Sequence, residues 1–243
     1  MSELSNSEMS AASAKFFYSS SYNSQQSSLI AETLLQGPRV SRLYQIAKRG
    51  LDICGALLGL VILLLVLLVV VPLILIEDRG SIFYKQVRVG QYGKPFFIYK
   101  LRSMIMDADS YLAQRPELLN AWRRTGKLQI DEDPRITCVG RFLRRSSLDE
   151  LPQMWNVLCG EMSLVGPRAI QFSEVVAFGE LAIVRHMVKP GLTGLWQVRG
   201  RSLTDYEQRA LLDCYYVMKC SFLMDLYILF KTLPAVFYGI GAC

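Results

Sequence analysis

Between Ile53 and Ile76 the chain carries 24 consecutive residues without a charge, most of them Leu, Val or Ile. As a straight helix this run would measure about 36 Å at about 1.5 Å per residue. The hydrocarbon core of a bilayer is about 30 Å thick. An ordinary soluble fold has no use for such a segment, so lipid is part of this protein's solvent. Two features argue against a simple crossing. Pro72 lies inside the run, where it removes a backbone hydrogen bond and favours a kink. The flanks are basic on both sides: Arg39, Arg42, Lys48 and Arg49 come before, Arg79, Lys85, Arg88 and Lys94 after. Lys and Arg stay on the cytoplasmic side, so a single span would export one of these groups. A helix that enters, breaks at Pro72 and returns keeps both inside, and a re-entrant helix is the expectation.

Ser fills 11 of the first 28 positions and no apolar period is sustained there. Residues 1–38 are therefore expected to form a disordered tail, and no basic start leads into an apolar stretch as in a secretory signal. From Val40 to Asp52, Leu43, Ile46, Ala47, Gly50 and Leu51 recur at helical spacing with Arg42, Lys48 and Arg49 between them. That is the pattern of a basic helix lying on a membrane surface. It joins the apolar run in a membrane part over residues 39–76.

Residues 77–243 read as a mixed domain. Ser81 to Val89 alternates, residues 90–93 form a turn, and Pro95 to Leu101 resumes a strand, which together predict a hairpin. Asp107 to Arg124 reads as one helix. Leu211 to Tyr238 is apolar and aromatic but carries Asp213, Lys219, Asp225 and Lys231, which suits amphipathic helices in the membrane interface. The expected fold class is α+β: a re-entrant membrane helix hairpin with a small, mostly helical domain, a short β-hairpin and interfacial helices. Six cysteines without a C-x-x-C pair and one histidine argue against a zinc site or a disulfide framework. Free thiols suit a reducing compartment. The net charge of +6 favours anionic partners.

The stretch richest in chemistry is Arg144 to Gln153, where Asp149 and Glu150 follow a basic cluster of Arg135, Arg141, Arg144 and Arg145. A carboxylate there can attack phosphorus or bind Mg²⁺, while guanidiniums hold phosphates through paired hydrogen bonds. Pro152 suits the first position of a helix, which places the two acids just before a helix N-terminus that also attracts anions. The plainer alternative is a capping box between Ser147 and Glu150. In Gly166-Pro167-Arg168 a stiff turn presents an arginine able to clamp a diphosphate, or merely a solvated one. Lys189 to Arg201 is glycine-rich and includes Trp196, a stacking face. It reads either as a ligand-approaching loop or as an ordinary one. His186 has no acid–base partner nearby in sequence and is expected to be structural.

In this order these segments resemble the monotopic phosphoglycosyl transferases, the bacterial sugar transferase family. The matching text is Lys48-Arg49 with Asp52, Phe83 to Gly90, Tyr99 to Met104 and Ser147 to Val157. It continues through Met162 to Arg168, Lys189 to Gly194, Asp225, and Lys231 to Leu233. The resemblance covers Tyr44 to Cys243. It implies an enzyme of the bacterial plasma membrane, with its catalytic domain on the cytoplasmic face and its membrane helix broken at Pro72. It also implies transfer of a sugar-1-phosphate from a UDP-sugar, a hexose, to polyprenyl phosphate, releasing UMP, as a first membrane step of polysaccharide synthesis. Asp149 would attack the phosphate next to the sugar and carry the phosphosugar as an acyl phosphate. Glu150, with Asp149, would bind Mg²⁺. Arg144, Pro167, Arg168, Arg201, Asp225, Lys100 and Arg102 would serve the substrates. Where the family usually has Pro-Arg-Pro, this chain has Pro167-Arg168-Ala169, which predicts a looser turn.

The rival of another class is a membrane-anchored scaffold that binds anionic lipid or a partner without chemistry. A nucleic-acid partner is not expected, because the basic residues are scattered and most follow a membrane segment. The oligomeric state stays open, and a homodimer is compatible with it.

Overall fold

A computed structural model describes residues 37–38, 40–125, 128–179, 181–199 and 206–237. Arg201, and the tail expected over 1–38 apart from Gly37 and Pro38, lie outside the described residues. The fold is α+β and mostly helical. Its elements are α1 Arg42–Glu77, β1 Phe83–Val89, β2 Pro95–Leu101, α2 Ala108–Ala113, α3 Pro116–Thr125, α4 Cys138–Arg145, α5 Gln153–Cys159, β3 Ser163–Val165, α6 Phe172–Phe178, α7 Leu181–Arg185, β4 Gly191–Thr193, α8 Leu195–Arg199, α9 Tyr206–Lys219 and α10 Phe222–Phe237. They form two compact units. The first comprises Met1–Arg49, Val87–Phe96 and Glu161–Leu229, the second Gly50–Gln86, Phe97–Gly160 and Phe230–Cys243.

The basic amphipathic stretch and the apolar run, expected as separate segments, are one helix of 36 residues. Nothing between Val40 and Ile53 stops it, since a lone Gly50 is tolerated in a helix. The break expected at Pro72 is also not seen, because the chain stays helical to Glu77. The ring removes one amide from the ladder, but the Asp78 N–H still donates to the Ile74 carbonyl at 3.0 Å. Ala56, Gly59, Leu63, Val70 and Ile74 recur at helical spacing and are buried. In the second unit Leu63, Val70 and Ile74 form a core with Leu101 and Leu143, flanked by Ile82, Val139, Leu148 and Leu151. Leu58, Leu65, Leu68, Val69 and Ile76 stay exposed. Only 22% of the helix's most apolar stretch is buried by protein, unlike a core helix, which is mostly buried.

Each end of α1 is fastened to folded chain. At its C-terminus the Glu77 carboxylate accepts the N–H groups of Cys138 at 2.6 Å and Val139 at 3.1 Å. It thereby caps α4, whose Thr137 hydroxyl accepts a third orphan donor, Gly140 N–H, at 3.0 Å. At the N-terminal end, in the first unit, Lys48 pairs with Asp225 at 2.8 Å.

The expected hairpin is present: β1 and β2 form a two-stranded sheet, closed by a short 3-10 turn at Gln91–Gly93. The single helix expected over Asp107–Arg124 is two, α2 and α3. Pro116 has no N–H to extend the ladder and disfavours the helical conformation at Arg115. In the first unit β3 and β4 pair in parallel, Ser163 opposite Gly191 and Val165 opposite Thr193. The C-terminal region, expected to form interfacial helices, differs in burial along its length. Helix α9 buries Ala210, Asp213, Cys214, Tyr216 and Val217, so it is a core helix whose acid is paired internally. Helix α10 does expose Leu223, Phe230 and Leu233.

Candidate functional site

In the second unit four short segments converge. Lys100 is the penultimate residue of β2. Just beyond it, residues 103–105 lie against 135–137: Thr137 N–H donates to the Ser103 carbonyl at 3.2 Å and Ile105 N–H to that of Arg135 at 2.8 Å. Helix α4 crosses this ladder at Gly140, where an added Cβ would come within 2.0 Å of the Ser103 carbonyl. That approach lets Arg144, one turn further on, donate from Nε to the Ser103 hydroxyl at 2.9 Å. Burial lowers the pKa of Arg144, and the nearby Asp149 carboxylate partly restores it. Arg135 is held by Asp133 through three hydrogen bonds of 2.7 to 3.0 Å. Burial alone would raise the Asp133 carboxyl, but those bonds and the charge of Arg135 hold it below its ordinary value.

Asp149 and Glu150 sit in a 3-10 turn, Leu148–Glu150, directly before α5, with Pro152 at its N-cap. Ser147 enters that turn at φ 58, a left-handed conformation costly for a residue with a Cβ, and its side chain makes no cap bond. The capping-box alternative is therefore not what the fold uses. Instead the Glu150 carboxylate accepts Lys100 Nζ at 2.6 Å, and Asp149 is buried, 7% exposed. A strained backbone that buries one acid beside an arginine and pairs the next with a lysine can present a nucleophile to an anionic group. Arg102 points its chemistry elsewhere. It is buried, donates to the Asp78 carbonyl and lies 3.6 Å from the Asp78 carboxylate, where a cation suits the C-terminus of α1.

In the first unit, Gly166, Pro167 and Arg168 follow β3. The glycines flanking this turn approach backbone rather than ligand. A Cβ on Gly191 would meet Gly166 N at 2.0 Å, and one on Gly194 would meet the Gly166 carbonyl at 2.4 Å. Ala169 is buried and its carbonyl accepts Arg88 Nη1 at 3.3 Å, so the turn is pinned where a looser one was expected. The Trp196 face is covered by the Arg209 guanidinium, 4.9 Å from the ring centroid. Asp225 is fully buried. One carboxylate oxygen accepts Tyr216 OH at 2.6 Å, and the other accepts Lys48 Nζ at 2.8 Å and Tyr44 OH at 3.0 Å. The surroundings of Asp225 are thus a polar knot joining α1, α9 and α10.

The family model described as bacterial sugar transferase matches residues 43–239. The chain belongs to the bacterial sugar transferase family. Among curated relatives, an exopolysaccharide production protein, ExoY, of Sinorhizobium fredii is 43% identical over 201 residues, covering 81% of this chain and 88% of that protein. Galactosyl transferase CpsE of Streptococcus agalactiae is 43% identical over 199 residues, 81% of this chain and 43% of CpsE. The undecaprenyl-phosphate galactose phosphotransferase of Salmonella typhimurium is 41% identical over 207 residues, again 81% of this chain and 43% of that protein. This sugar transferase thus spans most of the shorter relative and less than half of the two longer ones.

Sequence reasoning missed Ser103 and the Asp133–Arg135 pair, for which the only sequence signal was the Asp-x-Arg spacing. It also missed Arg185 and Asp213, 28 residues apart. It placed His186 as structural. Burial, with the Arg185 charge added and a backbone bond opposing, pushes that imidazole down to about 3. Its Nε2 has no hydrogen-bond partner among the described residues. The unfolded chain takes up this proton near 6.5. The stabilising effect of a neutral His186 is therefore full above pH 6.5 and is lost as pH falls toward 3. Between pH 7 and pH 5 unfolding should become easier by about 1 to 2 kcal/mol. Melting curves of wild type and His186→Gln check this, with the pH dependence shallower in the variant.

Proposed function

We propose that the chain transfers a sugar-1-phosphate from a UDP-hexose to polyprenyl phosphate through a covalent intermediate on Asp149. The observation that carries this reading is Asp149 itself, buried in a strained turn beside Arg144 while the turn makes no capping bond. An Asp149 oxygen attacks the phosphorus bonded to the sugar, and the bond from that phosphorus to the bridging oxygen breaks. UMP leaves with the electron pair. A phosphate oxygen of the lipid then attacks the same phosphorus, and the bond to Asp149 breaks, returning the carboxylate. Arg144 steadies the negative charge near Asp149, and Lys100 holds Glu150 in place. Arg168 and Pro167 serve the donor in this reading.

The described residues contain no group of three or more acid, His or Cys side chains fit to hold a metal alone. Mg²⁺ commonly takes one or two carboxylates and completes its shell with substrate phosphates and water, so Asp149 and Glu150 fit it in company with the diphosphate. When bound, it would neutralise diphosphate oxygens. The scaffold reading offers no use for a strained acid turn, and named transferases among the relatives weigh against it.

The test is retention of label. Protein given UDP-galactose labelled in the sugar, without lipid, should release UMP and keep the label until hydroxylamine strips it. If both substrates must bind before any product leaves and no label is held, transfer is direct.

The same reading puts α1 in the bacterial inner membrane with the catalytic domain cytoplasmic, both ends of the helix staying on that face through a bend at Pro72 within its continuous helical run. Among the described residues a single helix is long and apolar enough to cross a bilayer. If α1 crossed outright, one of its two basic flanks would be exported. Cysteine labelling in intact cells checks it: residue 20 and residue 243 should both be protected from an impermeant reagent. Labelling at 20 alone would mean a true span. Pro72→Ala should increase that labelled fraction by restoring the missing amide.

A further inference from the structure

We propose that Arg185, oriented by Asp213, is a positioning residue that fixes the backbone from which Arg168 projects. The inference rests on the reading in which Arg168 serves the donor. Between Val165 and Ile170, five backbone carbonyls accept a donor. That of Val165 accepts Lys48 Nζ at 2.9 Å and Tyr216 OH at 3.2 Å. That of Pro167 accepts Gly191 N–H at 2.8 Å, and that of Ile170 accepts Val89 N–H at 2.9 Å. Between them, the Arg168 carbonyl accepts Arg185 Nη2 at 2.8 Å and the Ala169 carbonyl accepts Arg88 Nη1 at 3.3 Å. A surface turn carrying a solvated arginine needs no such set of donors from five segments. From Met162 to Ile170, Arg168 is the one residue that is not buried, so the whole arrangement immobilises the base of a single side chain that reaches solvent.

The donor at the centre of this set is costly. Arg185 and Asp213 are each 1% exposed and pair at 2.8 Å. The guanidinium also lies 4.3 Å from the Phe178 ring centroid. Arg185 Nη1 and Asp213 Oδ1 have no hydrogen-bond partner among the described residues, so the desolvation of the two ions is only partly offset. An apolar pair of similar volume holds a fold at least as well. What an apolar pair cannot do is donate to the Arg168 carbonyl, and that donation is what the ion pair adds. Arg185 acts through Arg168 and touches no substrate.

The test is a double-mutant cycle on the full chain in lipid nanodiscs, reading UMP release from UDP-galactose with undecaprenyl phosphate. The variants are Arg168→Ala, the apolar pair Arg185→Met with Asp213→Leu, and all three together. The apolar pair should melt near the wild-type temperature yet lose about ten- to a hundredfold in kcat/KM for the donor, as a misplaced clamp would. On the Arg168→Ala background the same pair should cost less than about threefold more. Losses that multiply, or a folded apolar pair with wild-type kinetics, overturn the proposal. Full activity in Arg168→Ala sinks the assignment of Arg168 itself, and the brace with it. If the apolar pair does not fold, Arg185→Lys decides. Lysine keeps the charge but lacks the fork that reaches two acceptors at once, so a folded Lys variant should show the same loss, absent when Arg168 is already Ala. Wild-type kinetics in that variant overturn the proposal.

Discussion

Asp149→Asn should lower turnover by on the order of a thousandfold or more while leaving the melting temperature almost unchanged. The substitution keeps the size of a buried side chain and removes only the charge that attacks. A carboxylate that attacks as its anion needs no base to activate it. It needs a phosphate whose negative charge is offset, and the Arg144 guanidinium is near enough to be influenced by Asp149 itself. Stopped-flow or discontinuous UMP assays give the rate, and the same samples given labelled donor without lipid should keep no label. An Asn variant with a tenth of wild-type turnover would leave Asp149 as a ligand or a turn residue and end the covalent reading.

Gly191→Ala should abolish folding, with a destabilisation of several kcal/mol from overpacking and lost backbone bonds. The new methyl would stand 2.0 Å from Gly166 N and 2.6 Å from the Gly166 carbonyl oxygen. Neither can retreat cheaply. Gly166 N–H donates to the Thr193 carbonyl at 2.9 Å at the end of the β3–β4 pairing, and Gly191 N–H donates to that of Pro167 at 2.8 Å in the bridge between Arg168 and Gly191. Gly50→Ala is the control: a Cβ there meets nothing within 4 Å, and in a helix alanine is favoured over glycine by about 1 kcal/mol. Yield of folded protein and melting in detergent separate the two. A Gly191→Ala protein that melts like wild type would refute the close backbone approach.

What could be read from the sequence was what depends on near neighbours. The hairpin was legible because alternation and a glycine turn are local signals, and β1 and β2 follow them. The place of Asp149 before a helix was legible because Pro152 marks that start. Partners far apart in the chain were not. Asp225 and Arg102 were read as substrate residues because the family resemblance implies that role, and a charged side chain needs a partner. A buried protein partner and a phosphate satisfy that need equally on paper. Only the fold reveals that Lys48, Tyr44 and Tyr216 surround Asp225 and that Arg102 meets Asp78. The glycines of residues 189–194 were legible as close-approach positions, but the approaching atoms belong to Gly166. The continuity of α1 through Pro72 was not legible. A proline argues for a break by its chemistry, and whether the ladder absorbs it is settled by residues on either side.

The fastening of both ends of α1 has a practical consequence for anyone wishing to obtain the enzyme free of detergent. Deleting residues 42–77 to make a water-soluble fragment would remove more than a hydrophobic anchor. It would take Lys48 and Tyr44 away from a carboxylate with no access to water, leaving the buried charge of Asp225 with one tyrosine. It would also uncap α4 by removing Glu77, at the helix that carries Arg144. Such a fragment would be expected to aggregate rather than work. Solubility is better sought by exchanging the exposed leucines of α1 for polar residues while Tyr44, Lys48 and Glu77 stay in place.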